Sequence, residues 1–104
     1  MSRITKLEAF LKQEPDDSFT RYAMGLEYAK EQKLPEAIRT LEDLRERDPK
    51  YIPTYYMLAS YYRESGQTAK AKATYLEGIE KARLAKDIHT AAELEEALEE
   101  LLNG

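Results

Sequence analysis

Residues 21–28 read RYAMGLEY and residues 55–62 read YYMLASYY. Sliding one stretch onto the other is a shift of 34 residues, which sets Met24 on Leu58, Gly25 on Ala59 and Tyr28 on Tyr62. The shift holds beyond both stretches, setting Ala37 on Ala71 and Leu41 on Tyr75. A single match of this kind is weak. A run of them in phase, bulky on bulky and small on small, marks an internal repeat, and periods of this length build solenoids and related arrays. Each period reads as a helical hairpin. Small residues at 25 and 37, and again at 59 and 71, let two helix backbones approach, while Tyr28 and Tyr62 fill the space beside them.

The first copy runs Arg21-x2-Met24-Gly25-x2-Tyr28, then Ala37-x3-Leu41, and closes on Asp48-Pro49. The second runs Tyr55-x2-Leu58-Ala59-x2-Tyr62, then Ala71-x3-Tyr75. In this the chain resembles the tetratricopeptide-repeat (TPR) family, whose motif is bulky-x2-Leu-Gly-x2-Tyr, Ala-x3-Phe, Pro. The resemblance implies an all-α fold, a superhelix of helical hairpins, here one TPR domain over residues 1–104. Repeats are expected at 18–51 and 52–85, with a half-repeat helix at 3–14 and a capping helix at 88–102.

The half-repeat follows from running the register backwards, since Leu7, Phe10 and Pro15 stand 34 residues before Leu41, Leu44 and Pro49. Forwards, Ile88-x2-Ala91-Ala92 reads as the opening of a third repeat one residue early, with Glu95 at the tyrosine position. Asp16, Asp17 and Ser18 are cap residues before a helix, and Pro53 suits a helix's first turn. Gly66 suits the left-handed residue that ends a helix, and Gln32 holds the same repeat position. Six helices are predicted, near 3–14, 17–31, 35–47, 52–65, 68–85 and 88–102. Three departures from the motif stand out. Arg3 occupies the place of Ala37 and Ala71, Leu44 a place where small residues are usual, and the second repeat lacks its closing proline, so the fifth helix is expected to run long. The last helix sets Ile88, Ala91, Leu94, Leu98, Leu101 and Leu102 on one side and His89, Glu93, Glu96 and Glu100 on the other, the pattern of a solvating cap.

Composition narrows the function. At 104 residues the chain has the size of one domain, and with 42% hydrophobic and 35% charged residues it reads as a globular chain without a membrane span. Sixteen Lys and Arg against twenty Asp and Glu give a net charge of −4 with no basic block, which argues against nucleic acid as a partner. There is no cysteine, hence no thiolate chemistry and no disulfide. The amino-terminal MSRITKLEAFLKQEPDD scatters Leu7, Phe10 and Leu11 among charges and does not read as a signal peptide, so a cytoplasmic location is expected.

Catalytic raw material is scarce. His89 is the only histidine, and the face it shares with Glu93 and Glu96 reads as solvated helix surface in preference to a metal site. The glycines stand at 25, 66, 78 and 104, too scattered to cradle a phosphate. No catalytic residue, metal or cofactor is expected, and the chain reads as a non-enzyme. Tyr28, Tyr55, Tyr62, Tyr75, Phe10 and Leu41 fall at packing positions of the repeat.

What remains is a binding surface. The resemblance implies a groove lined by the first helix of each hairpin, with peptide-binding candidates Phe19, Tyr22, Leu26 and Lys30, then Tyr56, Ser60, Arg63 and Glu64. Tyr22 and Tyr56 share a repeat position, and neighbouring helices would set them side by side about 10 Å apart. TPR domains that grip a carboxy-terminal carboxylate carry Lys and Asn where Tyr22 and Leu26 stand, and Asn where Met57 stands, so that clamp is not expected. The expected function is a protein-interaction module holding a peptide or protein segment. The alternatives are a homodimeric structural module and a small accessory or secretion-chaperone subunit.

Overall fold

The computed structural model describes residues 2–104 and contains six helices and no strand among them. They are α1 (Arg3–Gln13), α2 (Ser18–Lys30), α3 (Leu34–Arg47), α4 (Pro53–Glu64), α5 (Thr68–Leu84) and α6 (Ile88–Asn103). All six fall where the repeat pattern places a helix. The contacts divide the chain within the first turn of α4 into two compact units, one reaching to Thr54 and the other running Tyr55–Gly104. Such a division suits a repeat architecture, in which each element touches only its sequence neighbours.

In the first unit the α2–α3 hairpin closes on Gly25. A Cβ at Gly25 would lie 2.6 Å from Leu41 Cδ2, and Ala37 and Leu41 are both fully buried. Arg21, at the bulky motif position, is a buried cation. It is satisfied by a 2.9 Å bond to the Pro15 carbonyl and by the Asp43 carboxylate at 3.3 Å. Asp17 caps α2, accepting the Thr20 backbone N–H at 3.0 Å and the Thr20 hydroxyl. Ser18 donates to Asp48 at 2.5 Å and so ties the start of α2 to the end of α3. α1 lies against α2 and buries Ile4 and Leu11. Phe10 departs from its expected packing role and is 48% exposed. Its equivalent Leu44 is buried; among the described residues α1 has no hairpin partner of the kind α3 has in α2.

In the second unit Gly78 sits where α5 meets both its neighbours. A Cβ there would fall 2.6 Å from Tyr55 Cβ and 3.1 Å from Leu94 Cδ1. Tyr55, Ala59, Ala71 and Tyr75 form the fully buried centre. Lys70 Nζ stands 5.7 Å over the Tyr62 ring. α5 spans 17 residues against 14 for α3, the extension expected from the missing proline.

That extension moves the third opening. Asp87 caps α6 through the Thr90 N–H at 3.1 Å, repeating the Asp17-x2-Thr20 arrangement, and Ala91, Leu94 and Ala97 are the buried residues of α6. The opening is therefore Ala91-x2-Leu94-Glu95, with Thr90 standing 36 residues after Thr54. Ile88, expected both at that opening and on the packed side, is instead 79% exposed, and Leu102 lies outside the packed side as well.

Three helices end alike. Lys33 N–H reaches Tyr28 O at 2.9 Å, Gln67 N–H reaches Tyr62 O at 2.8 Å, and Asp87 N–H reaches Ala82 O at 2.8 Å. The residue before each donor is left-handed: Gln32 (φ 64), Gly66 (φ 80) and Lys86 (φ 61). This is the Schellman geometry, and a side chain in it carries strain that glycine does not.

Two outcomes follow for urea denaturation. Ala37→Leu should overpack the first hairpin and cost about 1–3 kcal/mol, while Lys72→Leu, on the exposed side of α5, should be nearly silent. Gly78→Ala should cost more than Gly25→Ala, because Tyr55 Cβ is held by its backbone whereas the Leu41 methyl can turn aside. Equal midpoints for the two glycine variants would contradict the crossing geometry. Lys86→Gly should stabilise by about 1 kcal/mol, and an unchanged or lower midpoint would contradict the strain assigned there.

Candidate functional site

With α2 anchored by Asp17 at one end and by Gly25 against α3, the opposite stripe of the helix is left to solvent. Phe19, Tyr22, Leu26 and Lys30 recur at helical spacing along it. Together with Arg3, Ala23 and Glu27 they line a cleft of about 490 Å³. Phe19 is 68% exposed, a large ring with no packing duty in the fold. Arg3 comes from α1 and forms an ion pair with Glu27 at 3.3 Å, so one wall of the cleft carries a paired charge. The motif reading treated Arg3 only as a misfit at a small-residue position. Its role depends on α1 folding back on α2, which no local pattern announces. Lys30 forms no ion pair among the described residues and leaves a free cation at the far end.

Tyr22 also makes a packing contact that sequence reasoning missed. Its ring stands 5.9 Å from that of Tyr51 at an interplanar angle of 60°, and it is half-buried. Burial, reinforced by the Tyr51 phenol, raises the Tyr22 pKa above the ordinary tyrosine value. Tyr51 is raised too, by burial first and then by the carboxylates of Asp17 and Asp48. Tyr22 is thus partly structural, whereas Phe19 is not.

The other candidates belong to the second unit. Tyr56 is exposed yet sets its ring edge-on to Tyr75 at 6.3 Å. Ser60, Arg63 and Glu64 follow it along α4, with Ser60 half-buried and the two charges exposed. His89 Nε2 lies 3.5 Å from Glu93 one turn along α6, a surface pair. Among the described residues no cluster of three or more histidine or acidic side chains could hold a metal ion. Nor is any helix among them long and apolar enough to cross a membrane.

Comparison with known proteins now bears on this arrangement. The tetratricopeptide-repeat profile matches residues 28–94, well over half of the chain. The chain belongs to the tetratricopeptide-repeat family. A TPR domain protein from Salinibacter ruber, solved by NMR, is similar to it at 38% identity and a TM-score of 0.81, covering 84% of this chain and 88% of that one. A Bordetella parapertussis protein matches at 25% identity and a TM-score of 0.84, over 99% of this chain and 90% of that one. The TPR2B domain of yeast Sti1, solved in complex with an Hsp70 peptide, shares the fold at 20% identity and a TM-score of 0.88, over 96% of this chain and 80% of that one. No curated protein matches the chain significantly.

The tyrosine pair of this TPR chain supplies a test. In an NMR titration of the ring signals, Tyr22 and Tyr51 should ionise above about pH 10. Unfolded tyrosines lose their protons first, so the native state holds more protons above that pH and stability falls as pH rises through it. Tyr22→Phe should remove part of this alkaline loss. Midpoints at or below the ordinary value for both rings would contradict the burial described.

Proposed function

We propose that this TPR chain is a non-catalytic interaction module that takes a peptide segment in the cleft along α2, as part of the concave TPR groove. An apolar side chain of the peptide would sit on Phe19, Tyr22 and Leu26, and an acidic group would lie near Lys30. Tyr56, Ser60, Arg63 and Glu64 on α4 are proposed as a second contact patch, with Arg63 and Glu64 selecting charge. Phe19 carries the reading: a phenylalanine 68% exposed in a concave apolar cleft is a liability for a free protein and an anchor for a bound one. The TPR family's use of peptide-binding surfaces supports it. The lysine and asparagines of a carboxylate clamp are replaced by Tyr22, Leu26 and Met57, so the apolar contact, not a terminal carboxylate, would supply the affinity.

Selection from a displayed peptide library, followed by calorimetric titration, tests the proposal. Phe19→Ala and Leu26→Ala should each weaken a selected peptide by at least about 1–2 kcal/mol, roughly tenfold, with little change in the urea midpoint. Tyr22→Ala should lose both affinity and stability, because it also abandons Tyr51. Lys30→Glu should weaken acidic peptides and spare neutral ones. Selected peptides that bind the Phe19 and Leu26 variants as tightly as the natural chain would overturn the assignment.

A further inference from the structure

One side of α2 already receives a helix. α1 lies against it and buries Ile4 and Leu11, two turns apart, so the two elements meet with the same period. The cleft stripe, which Arg3 of α1 also lines, has that spacing too: Phe19, Tyr22 and Leu26 succeed one another by three and four residues, and Lys30 follows one turn on. The equivalent positions on the interior helix α4 are open as well, with Pro53, Tyr56 and Glu64 exposed and Ser60 half-buried. Openness of the stripe therefore belongs to the repeat position. We infer that the partner of the α2 cleft is an amphipathic helix lying antiparallel to α2, acidic at its amino end and basic at its carboxyl end. This rests on the peptide-binding reading above and goes beyond it in fixing the partner's conformation, direction and order of charge.

Spacing selects the conformation. Measured from Phe19 along the axis, Tyr22, Leu26 and Lys30 lie at about 4.5, 10.5 and 16.5 Å. A partner helix has the same rise and can set a side chain at each mark over two heptads. An extended peptide turns a side chain to one face only every ~6.7 Å, so its marks at about 7 and 13 Å fall on either side of Leu26. Charge selects the direction. Exposed Asp16 precedes the Phe19 end of α2, and Lys30 stands at the other end, where Glu31 is already taken up by Lys33 at 3.7 Å. A complementary partner puts a cation near Asp16 and an acid near Lys30. Running antiparallel, it carries the acid in its own first turn and the cation in its last, where its helix dipole favours each; running parallel, it carries both at the disfavoured ends. Read from Lys30 back to Phe19, the stripe then asks for acid-x3-apolar-x3-apolar-x2-apolar, followed by a cation.

Two displayed libraries test this, randomised at the same positions of one helix face so that either direction can be satisfied. One is carried on an alanine-rich host that is helical by itself; the other has prolines at two central positions of that host facing away from the cleft, which break the helix. Binders selected on the natural chain are titrated against it and against Phe19→Ala, whose exposed ring is no part of the core. The helical host should yield binders that need Phe19, with the acid amino-terminal to the apolar residues. One central proline should weaken such a binder at least about tenfold, and Lys30→Glu should abolish its preference for the acid. Phe19-dependent binders that come only from the proline host or from unconstrained linear peptides, or equally tight ones from both hosts, overturn the helix while leaving the cleft a peptide site. Helical binders with the opposite order of charge overturn the direction. Binders from every library that ignore Phe19→Ala overturn the cleft reading itself, and this inference with it.

Discussion

The hairpin crossing is the constraint on which the rest depends. At Gly25 the missing Cβ lets α2 come down on Leu41 and Ala37, and at Gly78 it lets α5 meet Tyr55 and Leu94 together. A residue one carbon larger would press on Tyr55 Cβ at Gly78, which its backbone holds, and would make the Leu41 side chain turn aside at Gly25, in both places disturbing the buried surface that holds the hairpin together. Close approach on one stripe of a helix also releases the opposite stripe. α2 spends Gly25 and Arg21 on α3, so Phe19 and Leu26 are free to be chosen for something other than folding.

Under the proposed function, folding and binding share residues in the cleft on α2. Arg3 and Glu27 neutralise one another across the α1–α2 contact, so that wall of the cleft is nearly charge-neutral. Lys30, which forms no ion pair among the described residues, leaves its charge at the far end of the cleft. Tyr22 stands between the two duties, its ring leaning on Tyr51 while lining the cleft, and the burial that raises its pKa measures how much of it the fold has claimed.

Much of the fold was legible because its signals are local and repeat. The period carried Gly25, Ala37, Tyr55, Ala59, Ala71 and Tyr75 to their places, and it paired Gln32 with Gly66 at a left-handed position that a glutamine alone would never suggest. Reading failed at Phe10 and at Ile88. Phe10 obeys the pattern but among the described residues α1 has no hairpin partner to bury it, and Ile88 departs from its expected place because α5 runs on before α6 begins. Gly78 looked like one of several scattered glycines, since its reason for being small is Tyr55, twenty-three residues away in sequence. Half of the candidate site, Phe19, Tyr22, Leu26 and Lys30, lines a single cleft; Arg3 and Glu27 joined it through a tertiary contact that no repeat position encodes.

Site-specific photocrosslinking tests the central claim most directly, because exposure alone cannot explain its outcome. A photoreactive phenylalanine analogue placed at Phe19 or at Ile88 would occupy two positions of comparable exposure, 68% and 79%, of which only the first lines the cleft. In the presence of a bound peptide, the chain carrying the analogue at position 19 should form a covalent adduct with that peptide and the chain carrying it at 88 should not. Equal adducts from both positions, or an adduct from 88 alone, would contradict the assignment of the α2 cleft as the surface that holds a partner.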